Sequence, residues 1–145
     1  ALEQLIGQQL DLMRPQAEQR QIQLLAQLQP AQIEADSLLL GQAIANLLDN
    51  AIDFSPAGGQ IELQGRVLAT GDYQLTILDQ GPGIPDYAQA RLFERFYSLP
   101  RPDKGKSSGL GLSFAAEVAR QHGGRLTLGN QPEGGVLAEL WLPTG

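Results

Sequence analysis

Apolar residues recur along this chain in two periods, one helical and one extended. Leu2, Leu5, Ile6, Leu10 and Met13 keep three- and four-residue spacings and predict a helix over residues 2 to about 13. Pro15 predicts a bend or a position shortly before the next helical turn, and residues 16 to 20 are polar. Ile22, Leu24, Ala26 and Leu28 then follow the two-residue period of a half-buried strand, which Pro30 ends. Residues 33 to 35 suggest a short second strand. Leu38, Leu39, Ala43, Ile44, Leu47, Leu48, Ala51 and Ile52 define a core-facing helix, capped at Asp36 or Ser37 and running to about Phe54. Ser55-Pro56 and Gly58-Gly59 stop it.

The second half repeats the alternation. Ile61, Leu63, Gly65 and Val67 predict one strand, Tyr73, Leu75, Ile77 and Asp79 another, and the residues 69 to 72 between them predict a hairpin. Asp79 thereby falls on the apolar-facing side at a strand end. Residues 81 to 85 are turn-rich, and residues 86 to 97 read as helical around Leu92, Phe93 and Phe96. Residues 98 to 108 have no apolar period and read as a mobile loop. A helix is predicted from Gly109 to about His122, closed by Gly123-Gly124. Strands at 125 to 129 and 136 to 142 finish the chain. Strand pairs separated by helices predict an α+β fold: a two-layer α/β sandwich, with an antiparallel or mixed sheet and helices packed on one face.

Composition narrows the function classes. The chain of 145 residues, 42% apolar, suits one domain with a core of its own. It has no Cys and one His, which excludes a disulfide scaffold and a multi-histidine zinc site. A net charge of -6 argues against a nucleic-acid partner, because phosphates need a basic stripe. An anionic cofactor therefore needs local positive groups. No apolar run approaches the roughly 20 residues of a membrane span.

Three stretches carry candidate chemistry. Asn46 and Asn50 lie one turn apart on the long apolar helix, where Asn is a poor helix former; they are either capping and packing amides or ligands. Asp79-Gln80-Gly81-Pro82-Gly83 puts a carboxylate at a strand end before two glycines that allow a ligand close to the backbone. Such a carboxylate accepts from an exocyclic amine, although ordinary strand-to-turn junctions use the same residues. Lys106-Ser107-Ser108-Gly109-Leu110-Gly111-Leu112 runs from a loop into a helix, whose free N–H groups receive phosphate oxygens.

Taken in order with Phe93-Glu94-Arg95-Phe96-Tyr97, these stretches resemble the N, G1, F and G2 boxes of the catalytic ATP-binding domain of sensor histidine kinases. Gyrase, Hsp90 and MutL share that Bergerat fold more distantly. The resemblance covers about residues 20 to 142. It implies ATP and Mg²⁺ as cofactors, with Asn50 as the metal ligand and Asn46 beside the phosphates. It implies that Asp79 accepts from the adenine amino group and that Gly81, Gly83 and Ile84 surround the base. Phe93 and Phe96 become lid supports or plain core. Asn50, Arg95 and Lys106 become the catalytic set, while Asp53, Lys104, Ser107, Ser108, Gly109, Leu110 and Gly111 complete the nucleotide site.

Two departures from that family stand out. Asp53 occupies the position where most histidine kinases carry Lys or Arg, so a basic residue elsewhere must meet the phosphoryl charge. Asn46 stands where gyrase-type ATPases carry the Glu that activates water, and an amide is no general base. The family's acceptor His motif is absent. His122, at a helix end, is expected to carry its charge against the helix dipole. Residues 1–20 then read as the end of a preceding helical region and residues 21–145 as the ATP-binding domain. The resemblance implies a cytoplasmic domain of an inner-membrane sensor protein, partnered by a phosphoacceptor His domain and a response regulator. The alternatives are an ATPase clamp of the gyrase type and an inactive nucleotide-binding regulatory module.

Overall fold

The computed structural model describes residues 2–54, 58–79, 100–101, 105–106, 111–130 and 135–144. In chain order the elements are α1 (Leu2–Gln19), β1 (Gln23–Leu28), α2 (Ser37–Phe54), β2 (Gln60–Val67) and β3 (Asp72–Leu78). Then follow β4 (Pro100–Arg101), β5 (Gly105–Lys106), α3 (Gly111–Gln121), β6 (Arg125–Asn130) and β7 (Val136–Pro143). The large sheet runs β1-β2-β3-β7-β6, parallel between β1 and β2 and antiparallel elsewhere. It is a mixed, mostly antiparallel sheet, as the Bergerat resemblance implies and one of the two forms the alternating pattern allows, and α2 lies between α1 and α3 in the helical layer.

One core joins the layers. Leu40, Ile44, Leu48 and Ile52 of α2 meet Ile61 and Leu63 of β2, Leu75 and Ile77 of β3, and Leu140 and Leu142 of β7. Each such side chain contributes about 1.5–3 kcal/mol by leaving water. The alternate residues form the opposite face of the sheet, which is polar. There Arg66 Nη2 donates to Gln74 Oε1, Gln74 Nε2 donates to Glu139 Oε2, and Arg125 lies 4.1 Å from the centre of the Trp141 ring.

Tyr73 shows how the sheet edge is closed. A Cβ on Gly65 would lie 2.0 Å from the Tyr73 hydroxyl, so the glycine is what lets the ring cross β2. The hydroxyl then donates to the Gln29 carbonyl at 3.0 Å. Burial, with the Glu3 carboxylate adding to it, pushes the Tyr73 phenol up to about 12, so it stays a donor at neutral pH.

Three sequence expectations change. α1 runs past its expected end near Met13, through Pro15 to Gln19. Ala17 is buried in the common core with Leu2, Ile6 and Leu10, and the final turn closes on Ile22, whose N–H donates to Ala17 O. Those contacts outweigh the one helical bond that a proline removes. Residues 33–35 are irregular and form no strand. The backbone before them is already satisfied elsewhere: Ala31 O accepts from Leu2 N–H, Ala31 N–H donates to Glu3 Oε1, and Gln29 O takes the Tyr73 hydroxyl. Within the stretch read as a loop, β4 and β5 pair antiparallel, too short to leave a periodic signal.

Candidate functional site

α2 carries the polar face of the site on an apolar body. Asp36 caps it as the sequence suggests, its Oδ1 accepting from Leu38 N–H at 3.0 Å and Leu39 N–H at 3.1 Å. From that start the buried Leu, Ile and Ala positions fix the rotation of the helix. The rotation leaves Asn46, Asp49 and Asn50 half-buried instead of packed in the core. Asn46 Oδ1 accepts from Gln42 Nε2 at 3.0 Å, one turn earlier.

Asp79 follows β3 and keeps its alternation, so its carboxylate faces the helical layer. It is 6% exposed. Its N–H donates to Val136 O at 3.1 Å, and its Oδ1 accepts from Val136 N–H at 3.1 Å. The side chain thus replaces a main-chain acceptor where β3 and β7 part. Burying a carboxylate costs free energy unless hydrogen bonds compensate, and the Val136 amide supplies one. α2 also packs against β3, and Asp79 directly follows that strand with its carboxylate buried.

The remaining expected site residues divide by position. Gly111 opens α3, and Lys106 lies in β5. Asp53 is in the last turn of α2. Gly81, Gly83, Ile84, Phe93, Arg95, Phe96, Lys104, Ser107, Ser108, Gly109 and Leu110 lie outside the described residues, as does the expected helix over 86 to 97. Among the described residues no helix is long and apolar enough to cross a membrane.

The structure adds residues that sequence reasoning missed. Gln16 Nε2 of α1 donates to Asp49 Oδ1 at 2.7 Å, and Arg20 Nη1 donates to the Ile52 carbonyl in the last turn of α2. On the other flank His122 Nε2 accepts from Asp36 N–H at 3.1 Å, while Nδ1 lies 2.7 Å from Val118 O. In that pair of bonds Nε2 is the acceptor and Nδ1 the donor, so the ring ties the end of α3 to the start of α2. No local signal marks these contacts, because each joins elements distant in sequence.

Comparison with known proteins converges on one group. The profile of the histidine kinase-, DNA gyrase B-, and HSP90-like ATPase family matches residues 35–145. The chain is 57% identical over 110 residues to the sensor protein CreC of Escherichia coli (strain K12), a match covering 76% of this chain and 23% of that protein. It is 38% identical over 111 residues to the adaptive-response sensory kinase SasA of Rippkaea orientalis, covering 77% and 28%. The chain thus spans about a quarter of the length of these curated relatives. Among solved structures, the mycobacterial sensor histidine kinase MprB superposes with a TM-score of 0.86 at 32% identity, covering 98% of this chain and 93% of that one. Full-length ShkA in complex with AMPPNP gives a TM-score of 0.82 at 28% identity, covering 99% and 30%.

Proposed function

Because the chain belongs to the family of histidine kinase-, DNA gyrase B- and HSP90-like ATPases, we propose that it is the catalytic ATP-binding domain of a two-component sensor histidine kinase. Its reaction passes the γ-phosphoryl group of Mg-ATP to a histidine on a separate dimerisation and phosphoacceptor domain. The observation that carries this reading is the buried Asp79 carboxylate, anchored by Val136 N–H just after β3, the strand against which the Asn46- and Asn50-bearing α2 packs.

The donor set fits a nucleotide with its metal. A carboxylate held at a strand end reads an exocyclic amine, so Asp79 selects adenine, with Gly81, Gly83 and Ile84 around the base. Among the described residues no three of His, Cys, Asp and Glu converge on one point. Asn50 would hold a magnesium ion through its amide oxygen, and the ion would supply neutralisation of phosphate charge. Asn46, one turn earlier, orients the phosphates. Arg95, Lys104, Lys106 and residues 107–111 serve as clamps for the leaving and transferred groups. Phosphoryl transfer is chiefly positioning and charge neutralisation, so these residues act as ligands, not as nucleophiles.

The runner-up is an ATP-hydrolysing clamp of the gyrase type, favoured by Asp53. Asn46 stands against it, because an amide does not take a proton from water. A third reading is a nucleotide-binding regulatory module without activity. The parent protein is read as an inner-membrane sensor with this domain in the cytoplasm, residues 1–20 leading from its helical region, and a response regulator downstream.

Titration calorimetry with a non-hydrolysable ATP analogue tests the site. The parent chain is expected to bind more tightly with Mg²⁺ than without it, and Asn50→Ala to lose about tenfold or more of affinity only when Mg²⁺ is present. Equal binding by Asn50→Ala and the parent in Mg²⁺ overturns the metal assignment. Adding labelled ATP and a phosphoacceptor domain separates the first two readings: label on the partner's histidine supports the kinase, and free phosphate without labelled protein supports the hydrolase.

A further inference from the structure

The end of α2 poses an electrostatic problem. Its C-terminal dipole is negative, Asp49 adds a carboxylate in the last two turns, and its last turn holds no basic residue. A polyphosphate bound along Asn46 and Asn50 approaches that same end. Among the arginines whose side chains are described, Arg14 pairs with Asp11 and Arg120 with Glu117. Arg66 donates to Gln74, and Arg125 lies over Trp141 on the outer face of the sheet. Arg20 is the one among them that reaches α2, through Nη1 to the Ile52 carbonyl. That carbonyl is one of the last four of the helix, which have no partner within it.

Arg20 is held in place from several directions. Its carbonyl accepts from Gly58 N–H at 3.1 Å and its N–H donates to Ala17 O at 3.0 Å. The adjacent Gln23 N–H donates to Gly59 O. One turn earlier on α1, Gln16 donates to Asp49. The two side-chain bonds from α1 thus grip α2 at Asp49 and Ile52, on either side of Asn50.

We infer that Arg20, supported by Gln16, is a positioning residue that offsets the negative end of α2 and so sets the affinity of the Asn46–Asn50 face for a nucleotide polyphosphate. The inference rests on the nucleotide-binding reading above. Arg20 acts through the helix end and its field, and no contact with the phosphates is required. A fixed guanidinium at partial burial is screened less than a free surface cation, yet its effect still falls as salt shortens the range of the field.

The test measures binding of the ATP analogue with Mg²⁺ by the parent chain, R20Q and R20K, at ionic strengths of about 0.05 M and 0.5 M. R20Q is expected to bind about tenfold more weakly at low salt, narrowing to about threefold at high salt, and R20K to stay within about threefold of the parent. Equal binding by R20Q and the parent at low salt overturns the inference. So does an equal, salt-independent loss in R20Q and R20K, which marks a packing role alone. Melting curves establish that each variant is folded. R20M keeps most of the aliphatic stem without the charge, replaces R20Q if the glutamine variant does not fold, and is held to the same outcomes. If the parent itself binds no nucleotide, the functional reading fails; if it binds and Arg20 is indifferent, only this inference does.

Discussion

α1 and α3 flank α2 and end in the same hydrogen-bond pattern, but with opposite residues at the turning point. At the end of α3, Gly123 takes φ +78°, Gly124 N–H donates to Ala119 O and Gly123 N–H donates to Arg120 O. At the end of α1, Gln21 takes φ +58°, Ile22 N–H donates to Ala17 O and Gln21 N–H donates to Glu18 O. Both are Schellman closures, with the left-handed residue two positions past the last helical residue. The difference teaches that the closure is set by what must be buried after it. Ala17 and Ile22 are both in the core, and their contact makes α1 stop where it does although no glycine marks the place. Glycine lowers the cost of such a turn; it does not create the turn.

The sharpest break in the comparison is at Gly124, which makes the closing bond that Ile22 makes after α1 but has no room for a side chain. A Cβ there would lie 1.8 Å from Trp141 O and 2.9 Å from Trp141 C, both in the backbone of β7. Main chain in a paired strand has little room to retreat, so Gly124→Ala is expected to cost about 3 kcal/mol or more. Urea unfolding reads this as a lower midpoint, and a thermal scan as a fall of about 6–12 °C for a domain of this size. A loss below about 1 kcal/mol would mean that β6 and β7 separate easily, and the two helix ends would then differ only in their left-handed residue.

A smaller effect is expected at His122, which makes the end of α3 a tie to the start of α2. Removing the ring leaves Asp36 N–H without its acceptor at the cap of the helix that carries the site. His122→Ala should destabilise by about 1–2 kcal/mol, as for a lost cap contact or a broken hydrogen bond. Amide exchange gives the more specific readout: the first turn of α2 should lose protection before the rest of the helix. Uniform loss across the domain would instead make His122 a packing residue with no special link to α2.

What the sequence discloses follows the same division. β2, β3, β6 and β7 are legible because each buries one face, which the two-residue period records directly. Asp79 is legible as an anomaly within that period, a carboxylate where an apolar residue belongs. The Asp36 cap, the 69–72 hairpin and the Gly123-Gly124 stop are local chemistry. The extension of α1 is not legible, because Pro15 and Gln21 both send the wrong local message and the burial that overrules them is tertiary. At the site, the residue types on α2 and after β3 can be read in order along the chain. Gln16, Arg20 and His122 cannot, since their contacts depend on how three helices lie side by side.

Gln21 offers the finest test of the comparison, because changing it converts one helix end toward the other. Its side chain is exposed, so replacement removes little packing. A left-handed conformation costs an ordinary residue roughly 1–2 kcal/mol, and glycine avoids that cost. Glycine also gives the unfolded chain more freedom, which costs roughly 0.5–1 kcal/mol of stability. The balance favours Gln21→Gly by about 0.5–1 kcal/mol. Denaturant unfolding should show a slightly higher midpoint with an unchanged slope, since the surface exposed on unfolding is the same. Nucleotide affinity should stay the same, because the Arg20 backbone keeps its bonds to Ala17 and Gly58. A lower midpoint would show that the Gln21 side chain holds the turn in a way that backbone conformation does not capture, and the two helix ends would then be alike in geometry but not in cause.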